Sequence, residues 1–170
     1  MNRWRDSVRR AAPPPVLLLL FVLFDIWSSW PALIHPERLL DLSWQTFTAV
    51  LIGVVSFCLA LSGLFKLISH KTTLNALHPE RTRILVTDGC YRYSRNPVYL
   101  GFVGLHVAAA LLVGSVIGIL ATPILISLLT LVHIQVEEAG MRQRFGLQWQ
   151  QYCENTPRWL SGKSFFRRGS

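Results

Sequence analysis

The chain is poor in the residues that build disulfide frameworks or metal centres. It has three cysteines in 170 residues. Cys58 lies in an apolar block, Cys90 beside a glycine and Cys153 in the tail, and no two have the spacing of metal ligands or of a disulfide scaffold. No glycine-rich Rossmann fingerprint occurs. No small-x-small cleavage site follows the basic, apolar N-terminal segment, so it does not read as a signal peptide. Acidic residues are also scarce, nine Asp and Glu against 17 Lys and Arg, for a net charge of +8. That imbalance does not mark a nucleic-acid-binding face, because the positive charge lies between and beyond apolar blocks rather than along one surface.

The apolar residues, by contrast, come in runs on the scale of a bilayer, which takes about 20 residues as helix. Four crossings are expected: Val16 to about Trp30, Trp44 to about Ile68, Val98 to about Val113, and Val116 to about Val136. Gly114-Ser115 leaves room for only a minimal turn, so the third and fourth form an antiparallel hairpin. Gly53, Ser56, Ser62 and Gly63 are candidate close-packing positions, and Pro123 is a candidate kink. His106 reads as a packed or hydrogen-bonded histidine. Asp25 is costly in a membrane helix and is expected to lie close enough to the far surface to be wet.

Four crossings put the N-terminus, the Ser69–Asn96 segment and the tail on one side. Arg38, in the polar Pro31–Ser43 link, is the only one of the 17 Lys and Arg residues on the other. The basic side is then cytoplasmic. The expected fold is all-α: a single integral membrane domain over residues 1–170, with an amphipathic cytoplasmic helix at its C-terminal end.

Between the second and third blocks lies Leu85 to Gly101, LVTDGCYRYSRNPVYLG. It holds Asp88, Arg92, Arg95, three tyrosines and a Gly89-Cys90 turn. Asn96-Pro97 opens the next helix, since Asn is a good N-cap and Pro is tolerated at the first helical position. A helix N-terminus offers free N–H groups and partial positive charge to a carboxylate or phosphate, and Tyr99 stands in that first turn.

A second polar cluster, His133-Ile134-Gln135-Val136-Glu137-Glu138, closes the fourth block. Carboxylates at a helix C-terminus oppose the macrodipole. If the helix runs on into the tail, Glu138 and Arg142 form an i,i+4 pair. His133 and Glu137 share a face by the same spacing. The hairpin brings Asn96-Pro97 towards Glu137, giving one site with an anion pocket, a carboxylate and tyrosine faces. A ligand with a carboxylate, an ammonium and a sulfonium fits that set, and S-adenosylmethionine is such a ligand.

The first motif, taken with EEAGMRQRFGLQWQQYCENTPRW downstream, resembles the isoprenylcysteine carboxyl methyltransferase and phospholipid methyltransferase superfamily of integral membrane enzymes. The resemblance covers Leu85 to Trp159, so the methyltransferase core is expected within residues 85–159. It implies S-adenosylmethionine as cofactor, contacted by Leu85, Val86, Tyr91, Asn96, Pro97, Val98, Tyr99 and Glu137. Asn96 stands where eukaryotic carboxyl methyltransferases have His; many bacterial relatives look like this chain. His133 stands where those enzymes place a substrate-binding Arg.

The expected activity is transfer of the sulfonium methyl to a lipophilic or lipidated acceptor reaching the site from membrane lipid, at the cytoplasmic face of a bacterial inner membrane. His133 is the candidate to orient or deprotonate that acceptor. Glu138 and Arg142 complete the candidate catalytic set, with Arg142 placed to hold Glu138 or the cofactor. No metal or nucleic acid is expected. The rival readings are a phospholipid N-methyltransferase, a small-thiol S-methyltransferase, and a non-catalytic membrane subunit of a redox or transport complex.

Overall fold

A computed structural model describes residue 9 and residues 11–30, 44–69 and 84–160. The Pro31–Ser43 link, with Arg38, lies outside the described residues, as do Lys71 and the basic tail residues Lys163, Arg167 and Arg168. Among the described residues the protein is all-helical, with five helices: α1 Pro14–Ser28, α2 Trp44–Ser69, α3 Pro97–Leu112, α4 Val116–Phe145 and α5 Leu147–Asn155. The helix α1 starts two residues before the expected Val16, because Pro14 and Pro15 fall in its first turn, where no N–H is missed.

Two helices, α2 and α4, are long and apolar enough to cross a membrane; α1 and α3 are apolar but shorter. The surface of α2 is the strongest argument for lipid. Phe47, Val54, Phe57, Leu61 and Phe65 are all exposed on it. An apolar surface that nearly encircles a helix suits hydrocarbon, not water.

The remaining strip of α2 packs closely on α3. Ser56, Ala60 and Gly63 are buried there, and Gly53 faces Ala108. The approach at Gly101 is so close that a Cβ would stand 2.6 Å from the Ser56 carbonyl oxygen. Only a residue with no side chain admits that separation, the usual device where helices meet in lipid. Ser62, grouped with these by sequence, is exposed and donates to the Leu59 carbonyl oxygen at 2.9 Å instead.

The helix α4 does not end near Val136. It continues to Phe145, passing through a π-helical stretch at Leu129–Ile134. The turn before it is set by Ser115, whose hydroxyl accepts from the Gly118 N–H at 2.9 Å. The helix then runs on beyond Pro123. Widened π turns recur at functional sites in helices, and this one holds His133.

Asp25 is not wet. It is 0% exposed, and its Oδ2 lies 3.0 Å from His106 Nδ1. The opposite ring nitrogen, Nε2, meets the Gly118 carbonyl oxygen at 3.1 Å. Gly118 makes the room, since a Cβ there would lie 2.0 Å from Asp25 Oδ1. A carboxylate inside a membrane helix is tolerated when a partner helix supplies a polar group, and here α3 supplies the imidazole. His106 is thus the hydrogen-bonded histidine its position implied.

Candidate active site

The first polar motif folds as a left-handed glycine turn followed by one 3₁₀ turn. Gly89 has φ +60°, and Gly89–Arg92 forms the turn. Asp88 just before it pairs with Lys66 at the end of α2. Tyr91 is buried, and its backbone oxygen accepts from the Tyr152 hydroxyl of α5 at 2.7 Å. Burial pushes the phenols of Tyr91 and Tyr152 well above the usual tyrosine range, so both are neutral packing and hydrogen-bonding groups. Val86 is buried and Leu85 half-buried on the approach to this turn.

Pro97 opens α3, with Asn96 at the N-cap position. Asn96 does not cap with its side chain. Its amide donates instead to the Arg158 carbonyl oxygen at 3.0 Å. The same oxygen accepts from Ser94 at 3.2 Å, and the Arg95 N–H donates to the Pro157 carbonyl oxygen at 2.9 Å. The tail segment after α5 docks on this loop and engages the Asn96 amide as a donor. The first-turn N–H groups of α3 keep their orientation towards the site end of the helix.

One turn along, the Tyr99 hydroxyl donates to Glu137 Oε1 at 2.5 Å. This bond joins the two polar clusters across 38 residues of sequence. His133 is 1% exposed, and its ring centroid lies 6.4 Å from that of Tyr99. Its Nε2 donates to the Ala12 carbonyl oxygen at 3.0 Å. Asn96, Pro97 and Tyr99 at the start of α3 therefore share one end of the structure with His133 in the π segment of α4 and Glu137 one turn beyond it, with the Tyr91 hydroxyl on the Gly63 carbonyl oxygen of α2.

Glu138 points another way. It is gripped by Arg158, with Nε at 3.0 Å and a terminal nitrogen at 2.6 Å, and by Arg95 at 3.0 Å. These charge-assisted contacts hold the Arg158 guanidinium above its ordinary range. Arg95 also lies over the Trp149 ring, 5.6 Å from its centre. The expected Glu138–Arg142 pair is replaced by this bracket: α4 does continue, but Arg142 is exposed while Arg95 from the loop and Arg158 from the tail reach the carboxylate.

Sequence reasoning missed Arg9. It entered only as a topology charge, yet it is buried, and its charge acts on Tyr99, His133 and Glu137. Ala12, three residues on, and Trp159 of the tail pack on the core cluster that contains Tyr99. Arg95 and Arg158 were also left out of the candidate set, although Arg95 stands in the first motif and Arg158 in the second. The cysteines are free, and burial raises the Cys153 thiol, consistent with an inert group.

A carboxylate, two buried tyrosine rings and a helix N-terminus make a donor set suited to a small ligand carrying both positive charge and a carboxylate. Residues 44–148, more than half the chain, match the family model for phospholipid methyltransferase. The chain belongs to this family of membrane methyltransferases. The family match takes in α2, α3, α4 and the turn between them and the first motif. Over 77 residues the chain is also 31% identical to the Protein-S-isoprenylcysteine O-methyltransferase of Schizosaccharomyces pombe, covering 45% of this chain and 33% of that protein. The chain thus spans about a third of the length of the curated relative. No solved structure matches it.

Proposed function

We infer that the protein is an S-adenosylmethionine-dependent methyltransferase acting on a lipophilic acceptor at the cytoplasmic face of a bacterial inner membrane. On this reading α1 to α4 each cross the bilayer, α3 and α4 as a hairpin, and residues 85–159 form the methyltransferase core. Both termini lie on the basic side, as the charge asymmetry favours. Leu85, Val86, Tyr91, Asn96, Pro97, Val98, Tyr99 and Glu137 would hold the cofactor. Glu137 suits its positive groups, the tyrosine faces suit its sulfonium, and the α3 N-terminus suits its carboxylate. When bound, the cofactor supplies an activated methyl group; the protein's part is orientation and exclusion of water. His133 faces the acceptor. Glu138, bracketed by Arg95 and Arg158, fixes the loop and tail around the site, and Arg142 lies at its cytoplasmic edge.

The observation that carries this reading is the Tyr99–Glu137 bond, which makes one site of two motifs separated by a long apolar stretch. The acceptor's lipophilic class is supported by the activities for which the matched family and relative are named, on phospholipid and on S-isoprenylcysteine. Calorimetric titration of the detergent-purified protein with S-adenosylhomocysteine tests the reading. Saturable binding is expected, weakened at least tenfold by Glu137→Gln, the scale of a lost charged hydrogen bond. A folded protein that takes up no ligand, or a Glu137→Gln variant that binds as well as wild type, overturns it.

A further inference from the structure

His133 differs from every other buried polar side chain near the site in having one ring nitrogen committed and the other open. Its Nε2 faces a backbone carbonyl, that of Ala12, at 3.0 Å. A carbonyl oxygen only accepts, so Nε2 carries the proton. Nδ1 has no partner among the described residues, although the residue is 1% exposed. A buried ring nitrogen without a partner is costly, and such groups persist where a ligand completes them. The same ring sits beside Tyr99, whose hydroxyl is already spent on Glu137.

We propose that His133 Nδ1 is the hydrogen-bond acceptor and general base for the methyl acceptor, with its tautomer fixed by the Ala12 carbonyl of the N-terminal segment. The substrate class follows, and it rests on the methyltransferase reading above. A lone pair at Nδ1 recognises an X–H group, so the acceptor is a lipophilic thiol, amine or alcohol rather than a carboxylate, which would set lone pair against lone pair. The acceptor heteroatom forms a bond to the methyl carbon. The carbon–sulfur bond of the sulfonium breaks with its electron pair going to sulfur, leaving a neutral thioether. The X–H proton passes to Nδ1 and gives an imidazolium. The positive charge of Arg9 acts on this ring, so an acid belongs in any test series.

His133→Gln separates the two roles of the ring. A glutamine amide nitrogen replaces Nε2 as donor to Ala12 but takes no proton, whereas His133→Ala removes both. The full-length protein in lipid nanodiscs is given labelled S-adenosylmethionine and four acceptors sharing one isoprenyl chain: thiol, amine, alcohol and carboxylic acid. Wild type is expected to methylate an X–H acceptor at least tenfold faster than the acid. The Gln variant is expected to keep wild-type thermal stability and S-adenosylhomocysteine affinity while losing about 10²-fold or more in turnover, the range for a general base.

A second readout needs no turnover. In ¹⁵N-histidine-labelled protein with S-adenosylhomocysteine, the His133 Nδ1 resonance should be that of an unprotonated nitrogen and should shift when the isoprenyl alcohol is added. Preference for the acid, full turnover by the Gln variant, or a protonated or unresponsive Nδ1 overturns the proposal. So does a series in which no X–H acceptor is methylated. Failure of wild type to bind S-adenosylhomocysteine overturns the donor reading instead, and the nitrogen resonance with the alcohol alone still decides this one.

Discussion

Among the described residues two histidines are buried, on facing helices, and they solve the same problem in opposite ways. His106 on α3 is 0% exposed and closed: Nδ1 meets Asp25, and Nε2 meets the Gly118 carbonyl oxygen. Ser28 and Ser115, 2.7 Å apart, continue that polar seam between α1 and α4. His133 on α4 is open on one nitrogen and lies beside the tyrosine and glutamate that link the two motifs. The first arrangement ties three helices together and leaves nothing to bind. The second leaves a polar demand unmet at the end of the bundle where the family's motifs meet. Burial alone does not separate the two histidines; what differs is what each Nδ1 faces, a carboxylate at 3.0 Å for His106 and no polar partner among the described residues for His133.

The hardest test of that contrast falls on the closed site. Asp25→Ala strands His106 in the interior, and removing one partner of a buried pair costs about 3–5 kcal/mol. Gly118→Ala attacks the same place by crowding the carboxylate. Both variants should show a large drop in thermal midpoint in detergent, while any folded fraction binds S-adenosylhomocysteine as wild type does. A midpoint that stays put in both would mean the pair is not a structural tie. Loss of ligand affinity at full stability would mean it belongs to the site.

At the open site the effect should be smaller and of the other kind. Tyr99→Phe removes one hydrogen bond to Glu137 and little packing. A bond to a charged group contributes about 1.5–3 kcal/mol, so ligand affinity should fall roughly tenfold with only a small change in midpoint. Unchanged affinity would show that Tyr99 does not position Glu137.

Most of the helical plan was legible because apolar run length and Pro placement are local signals: Pro97, Gly114-Ser115 and Trp44 mark their boundaries within a residue or two. The sequence also put Asn96-Pro97 and Tyr99 in one site with Glu137, because Gly114-Ser115 leaves room for only a short turn, but it did not single out the Tyr99–Glu137 bond. Asp25 was misjudged because its environment is set by His106, 81 residues away, and no local pattern announces that pairing. Asn96 was rightly placed at a helix start, but its side chain answers to Arg158 in the tail rather than to its own helix. Arg9 was lost among topology charges, since burial of one arginine in a basic segment is a tertiary fact.

The smallest predicted difference bears on the same point, that partners are chosen by space and not by spacing. By sequence, Arg142 is the i,i+4 partner of Glu138; in the structure Arg158 makes the two-pronged contact and Arg142 is exposed. The Arg158 side chain is 37% exposed, so solvent discounts its contribution towards the scale of a surface pair, about 1 kcal/mol at most. Arg158→Gln keeps the backbone carbonyl that holds Ser94 and Asn96, so only the guanidinium contribution is removed. Its thermal midpoint should fall by a few degrees, while Arg142→Gln stays within the roughly 0.5 kcal/mol of ordinary surface substitutions. Midpoints in the reverse order would return Glu138 to its neighbour on α4 and unfasten the tail from the site.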